Sequence, residues 1–295
     1  MTPPGKVPII DAHMHLFVGK SEQYPRGVHD LYPAERTADV MEYLEYADAL
    51  GVDFSILVSL DENDEYVRDQ VAARPERFGA VAVMDSLAEH PVAEFQRHCD
   101  AMPILGYRIW TLGAGENGLP SDGYLDLLAE LERREIVAWF YADEVQLNAL
   151  RKCLHRYPRL KVLLNHLGFC QSGFSCDELG RPRIDVPLPP ASLATVVELA
   201  NFPRVAVMFS GHYAFSNLEY PYPDLVGVSQ TLLSAYGVDR LIWASDWPWI
   251  KEKPGYAELL NLVRHQLPEL TGEEIAAITG GNAQRIFRIP CEEHQ

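Results

Sequence analysis

Three histidines and one aspartate, all at or just past the ends of short apolar runs, are the residues best placed to do chemistry in this chain. The run Ile9-Ile10-Asp11-Ala12-His13-Met14-His15 sets two imidazoles two residues apart. In an extended strand such residues point the same way, so His13 and His15 can share one divalent metal, most often zinc. An H-x-H pair also fits ordinary polar residues at a strand exit. In Val162-Leu163-Leu164-Asn165-His166 the histidine follows a buried run directly, as a site residue or as a core histidine satisfied by backbone. Leu241-Ile242-Trp243-Ala244-Ser245-Asp246 ends in a carboxylate that can turn the chain, cap a helix or reach a metal. The chemistry at stake is that of a bound divalent ion.

The elements that must position these groups are read from hydrophobic patterning. Strands are expected at Val7–Asp11, Phe54–Val58, Phe78–Val83, Leu105–Ile109, Ile136–Tyr141, Lys161–Asn165, Val205–Phe209 and Leu241–Ala244. They are mostly continuous apolar runs, as strands covered on both faces are. Helices are expected at Thr37–Leu50, Asp122–Arg134, Val145–Tyr157, Tyr256–Gln266 and Thr271–Ile278, the last opened by a Thr271-x-x-Glu274 capping box. Asn282 reads as an N-cap before a final helix. Eight strands alternating with helices give an α/β fold, a single (β/α)8 TIM barrel spanning 1–295 as one domain. His13, His15, His166 and Asp246 then fall at the same end of strands one, six and eight, and Asp246 comes within reach of a metal held by His13 and His15. Two stretches, Leu16–Arg36 and Gly168–Pro190, are too long for simple connections and follow strand C-termini, so they are expected to build the pocket. No repeat, low-complexity tract or Gly/Ser linker divides the chain.

The chain has 295 residues, 47% hydrophobic and 23% charged, with 25 Lys+Arg against 42 Asp+Glu for a net charge of −17. That field repels nucleic acid and anionic membrane surfaces, and no basic run makes a local exception. An anionic small molecule remains compatible, since a pocket needs only one or two cations. The N-terminal residues carry no secretory pattern and no stretch reaches the roughly 18 apolar residues of a membrane span, so a cytoplasmic location is expected. The five cysteines (Cys99, Cys153, Cys170, Cys176, Cys291) are scattered and read as free thiols, though Cys170 and Cys176 share a loop and could ligate a metal. A homo-oligomer is compatible with everything above.

The chain resembles the amidohydrolase superfamily, in its amidohydrolase-2 branch. The matching pieces are IDAHMH at 10–15, AERTADVMEYLEYADALGVDFSILV at 34–58, LGYRIW at 105–110, NHLG at 165–168, ASDWP at 244–248 and GGNAQRIF at 280–287. Within the branch it looks most like the lactonases of sugar acids and aromatic acids. The resemblance implies that His13 and His15 are metal ligands or, in metal-free relatives, substrate-polarising groups. It makes His166 a further ligand or a donor to the substrate carbonyl, Asp246 the general base and a frequent ligand, and Arg108 the grip on a substrate carboxylate or carbonyl. The mid-barrel lysine that bridges two metals in many members is missing from Ile136–Tyr141, so one divalent metal is expected, zinc first, with manganese or none as alternatives. Met208 stands where many relatives carry lysine. In decarboxylating relatives a histidine near His212 acts as acid or base; an exposed loop histidine is the other reading. Tyr141 either hydrogen-bonds substrate or packs its ring, and Trp247 with Trp249 either wall the pocket or support the rim.

The expected activity is hydrolysis of a lactone or related acyl bond by metal-activated water with Asp246 as base. A metal-dependent decarboxylase or hydratase using His212 is the second reading, and a non-catalytic ligand-binding barrel the third.

Overall fold

Continuous apolar runs do become strands buried on both sides. The computed structural model describes residues 7–85, 88–115, 118–170 and 173–290. In chain order β1 (Ile9–Met14) is followed by α1 (Val40–Leu50), β2 (Val52–Val58), α2 (Glu65–Ala73), β3 (Phe78–Val83) and α3 (Pro91–Ala101). Next come β4 (Ile104–Ile109), α4 (Asp122–Arg134), β5 (Val137–Phe140), α5 (Glu144–Cys153) and β6 (Val162–Leu164). A short hairpin, β7 (Phe174–Cys176) and β8 (Pro182–Ile184), precedes α6 (Leu193–Leu199), β9 (Val205–Phe209), α7 (His212–Phe215), α8 (Val226–Tyr236) and β10 (Leu241–Trp243). The chain ends through α9 (Tyr256–Gln266), α10 (Gly272–Ala276) and α11 (Asn282–Phe287).

Eight parallel strands pair in the order β1-β2-β3-β4-β5-β6-β9-β10. A parallel bridge between Met14 and Trp247 brings the two ends of the sheet together. This is the single (β/α)8 barrel, and every strand expected from the sequence is in it, Phe78–Val83 included. Alternate side chains fill the barrel, among them Ile10 and Ala12, Ile56 and Val58, Val81 and Val83, Val137 and Trp139, Ala206 and Met208. The intervening residues pack outward against the helices in a second, larger cluster. Met208 is fully buried inside the barrel, an apolar filler where a lysine would be a charge.

The C-terminal segment plugs the barrel bottom. Ala283, Phe287 and Ile289 join the interior cluster, and Gly280 lies so close under β1 that a Cβ would collide with the Pro8 carbonyl oxygen. Asn282 does not cap a helix: its amide donates to the carbonyls of Val238 and Leu241, both at 2.8 Å, and so stitches the last helix to the entry of β10. The Thr271–Glu274 capping box is formed. Among the described residues no helix is long and apolar enough to cross a membrane.

Both long insertions sit on the C-terminal rim. The Leu16–Arg36 stretch is organised by one buried arginine, Arg26, whose guanidinium donates to the carbonyls of Val18, Gly27, Tyr32, Pro33, Ala34 and Arg36. The Gly168–Pro190 stretch contains the β7–β8 hairpin, and Arg36 ties the two together by donating to the Gly180 carbonyl at 3.0 Å.

Candidate active site

His13 lies in β1 and His15 one residue past it, and their Nε2 atoms are 3.1 Å apart. His15 Nδ1 meets the Val58 carbonyl at 2.8 Å, which fixes the ring by making Nδ1 the protonated nitrogen and leaves the Nε2 lone pair facing inward. Asp246, in the turn after β10, points Oδ1 at both imidazoles, 3.7 Å from His13 Nε2 and 3.6 Å from His15 Nε2. Its Oδ2 accepts a hydrogen bond from the Tyr213 hydroxyl at 2.7 Å and stands 3.7 Å from His166 Nε2. His166 in turn is held through Nδ1 by Ser210 Oγ at 2.9 Å.

The turn carrying Asp246 is fixed from below by Asp11. That fully buried carboxylate accepts hydrogen bonds from the Ser245 amide at 2.9 Å, the Ser245 hydroxyl at 2.5 Å and the Tyr256 hydroxyl at 2.7 Å. Backbone bonds then join the chain ends: the Asp246 amide donates to the His13 carbonyl at 2.9 Å, and the His15 amide to the Trp247 carbonyl at 2.8 Å. Asp246 (φ 62°) and His166 (φ 42°) both occupy the left-handed region, a strain that sites tolerate when the surroundings over-determine it. Gly211 (φ 78°) is required beside them, because a Cβ there would come within 2.8 Å of His166 Nδ1.

Charge follows from burial. Desolvation, with the neighbouring histidines and Arg108, holds His13 well below the usual imidazole range. His166 is pushed down to about 4 by desolvation, which outweighs the pull of Asp246. Burial alone would raise the Asp246 carboxyl, but His166, His13 and His15 hold it well below the ordinary carboxylate range. The site at neutral pH is therefore an ionised carboxylate facing neutral His13 and His166. Tyr213, its hydroxyl pushed far up by burial and by Asp246, stays a donor.

These groups fit a divalent ion. His13, His15 and Asp246 each offer a ligand atom, all within 4.8 Å of one another. Asp246 Oδ1 is buried with no hydrogen-bond partner among the described residues. Two nitrogens on one tetrahedral zinc, each at about 2.0–2.1 Å, sit roughly 3.3 Å apart, close to the separation of the two imidazoles. Among the described residues this is the one such converging group. The interior positions of β5 are Val137 and Trp139, and the Trp139 ring lies edge-on to His13 at 5.2 Å.

Above the cluster lies a cavity of about 250 Å³, lined by His15, His166 and Asp246 at its floor and by Arg108, Tyr141 and Trp110 on one side. The insertions supply His29 and Tyr32 on one hand and Phe174 and Ile184 on the other, so both do build the pocket. Arg108, in β4, is only 5% exposed. Its guanidinium stacks over Trp110 at 4.2 Å and lies 5.2 Å from the Tyr141 ring centre. Its Nε has no hydrogen-bond partner among the described residues, and burial pushes its pKa down to about 10.

Two expected site residues lie elsewhere. Trp247 is fully buried with its ring against Tyr43 at 5.3 Å, so it contributes the backbone carbonyl that pairs with His15, while Trp249 lines the cavity. His212 is also buried, not an exposed loop residue. Its ring packs on Phe209 at 4.5 Å and its Nε2 faces Ser229 Oγ at 3.5 Å, behind the cavity wall. Sequence reasoning missed Tyr213, one residue on, together with Ser210 and Asp11, although all three lie within or beside the singled-out motifs. Cys99, Cys153, Cys170 and Cys176 are free thiols, Cys170 and Cys176 belong to no converging ligand group among the described residues, and Cys291 lies outside the described residues.

His212 makes a pH prediction. Burial pushes it down to about 3, against an unfolded value near 6.5. Between those values the unfolded chain takes up a proton that the folded chain refuses, so stability falls as pH drops below about 6.5. His212→Phe should remove up to one proton of that dependence, about 1.4 kcal/mol per pH unit. Denaturant melts of both proteins at pH 7 and 5 check it, and equal losses would refute it.

The amidohydrolase family profile matches residues 10–289. An L-fucono-1,5-lactonase of Burkholderia multivorans is 25% identical over 307 residues, covering 95% of this chain and 96% of that protein. A 4-sulfomuconolactone hydrolase of Hydrogenophaga intermedia is 24% identical over 297 residues, covering 97% and 89%. A solved amidohydrolase from Burkholderia multivorans with bound zinc superposes with a TM-score of 0.73 at 21% identity, over 96% of this chain and 100% of that one, a likeness of fold.

Proposed function

Because this chain belongs to the amidohydrolase family, we propose that it hydrolyses a small lactone, or a related acyl bond, by attack of an activated water with Asp246 as general base. That it is a hydrolase follows from the family and from its lactone-hydrolysing relatives. The observation that carries the finer reading is Asp246 Oδ1, an ionised, buried and unpartnered oxygen at the floor of a cavity that also holds a buried arginine.

A divalent ion on His13, His15 and Asp246, zinc as in the solved relative or manganese, would supply Lewis acidity that lowers the pKa of water and polarises the acyl oxygen. Asp246 takes the proton of the attacking water and returns it to the ring oxygen as the C–O bond breaks. Tyr213 holds Oδ2 so that the base faces the attacking water with the other oxygen. His166 is not part of the converging triple; in its Nε2–H form, with Ser210 donating to Nδ1, it gives a hydrogen bond to the acyl oxygen as charge develops there. Arg108 grips an anionic group of the substrate through a two-pronged contact. The decarboxylase or hydratase alternative requires His212 at the cavity, and its ring lies behind the wall.

The test is a panel of sugar-acid and pyrone lactones with metal-replete protein; no hydrolysis of any of them overturns the reading. Dialysis against a chelator should abolish turnover, with zinc or manganese restoring it. The chelated protein should also melt lower: an ion at a hundred times its Kd contributes about 2.7 kcal/mol, about 5 °C for a chain of this size. An unchanged melting curve would remove the metal from the account.

A further inference from the structure

Resting on acyl hydrolysis in this cavity, we propose that the substrate is a single-ring compound with one anionic group and few hydroxyls. The anion follows from Arg108. Among the described residues it has no salt-bridge partner, it is 5% exposed, and its orphaned Nε sits in a guanidinium held on Trp110. A buried cation without a counter-charge is costly, and a bound carboxylate removes that cost.

A single anion follows from the rest of the wall. Among the described lining residues Arg108 is the one Lys or Arg, and Asp246 is the one carboxylate. A second carboxylate would find no second guanidinium or ammonium among the described lining residues, only Tyr and His side chains, Asp246 or apolar groups, and the net charge of −17 already disfavours a dianion.

The hydroxyl-poor body follows from what the wall can pair. Among the described lining residues there is no Ser, Thr, Asn or Gln; beyond the floor, polar atoms come from Arg108, Tyr32, Tyr141 and His29, and most of the wall is apolar, with Leu60, Phe174, Ile184, Phe215 and Trp249. Each substrate hydroxyl buried against such a wall without a partner weakens binding, since a stranded polar group costs about 1–3 kcal/mol. The cavity, about 250 Å³, falls just below the roughly 300–1,000 Å³ of sites for drug-sized ligands, which suits one ring.

Titration calorimetry on metal-replete protein tests this with stable acids: benzoate and cyclohexanecarboxylate against gluconate and isophthalate. The ring monoacids should bind at least tenfold tighter than either competitor. Arg108→Met should weaken benzoate at least tenfold, and Arg108→Lys, which keeps the charge without the fork, should recover part of the loss; melting curves confirm that both fold. A preference below tenfold, or undetectable benzoate binding to the wild type, overturns the proposal. The same preparation is assayed on lactones. Benzoate binding without any lactone turnover removes the hydrolysis reading and leaves the ligand class, whereas faster turnover of sugar lactones than of apolar ones removes the ligand class and leaves hydrolysis.

Discussion

Asp246→Asn should lower kcat by about 10²- to 10⁴-fold, the usual contribution of a positioned base, with the melting temperature changing by no more than a few degrees. Asparagine matches the carboxylate in shape, so the turn after β10 and its backbone bonds to His13 and His15 can persist. What disappears is the carboxylate's charge and basicity, which take the proton and would help hold the ion, so the variant is assayed metal-replete. Among the described residues Asp246 is the one acid lining the cavity, so no neighbour substitutes for it. The loss should appear mainly in kcat, because Arg108 still holds the substrate anion. His166, His13 and His15 keep the carboxyl ionised well into acid, so wild-type activity should not fall between pH 7 and 5 through protonation of this base. Steady-state kinetics on the best lactone decide the matter, and turnover like the wild type's would remove Asp246 from the chemistry.

Asp11→Ala should cost about 3 kcal/mol or more in unfolding free energy, and activity with it. The carboxylate is fully buried and serves the Ser245 amide, the Ser245 hydroxyl and the Tyr256 hydroxyl, with Tyr43 at a longer 3.4 Å. Alanine strands these donors without water, at about 1–3 kcal/mol each. It also frees the Ser245–Asp246 turn from β1, so the base loses its register against the imidazoles. Guanidinium unfolding measures the first effect and kcat the second. A loss under about 1 kcal/mol would mean that the network is not what holds the turn.

The barrel was legible because parallel strands buried on both faces write themselves as unbroken apolar runs, such as Ile56-Leu57-Val58 and Val205–Phe209. His13, His15, His166 and Asp246 were legible because a barrel places strand ends together: His13, His15 and Asp246 converge, and His166 stands 3.7 Å from the far oxygen of Asp246. Finer placements were not legible where one residue decides which way a side chain points. After β9 the ring that reaches Asp246 belongs to Tyr213, not His212, and the tryptophan in the cavity is Trp249, not Trp247. Both pairs lie just past strand ends, one of them in the four-residue α7, where no sustained period of two or 3.6 fixes direction. The rim insertions carried no pattern because the order of the first comes from Arg26 bonding to backbone carbonyls, which every residue possesses. Asn282 looked like a cap for the same reason: its partners, the Val238 and Leu241 carbonyls, are 44 and 41 residues away and invisible locally.

The seam between β10 and β1 has a consequence for the life of the chain before it is whole. Asp11 and Ser245 are 234 residues apart, and the base sits on the far side of that gap from its two paired imidazoles. A ribosome that has released β1 through β9 has made His13, His15 and His166 but not the acid that works with them. If Asp246 is the base proposed above, a chain that stops before β10 lacks it, and activity should appear only once that last strand has paired with β1.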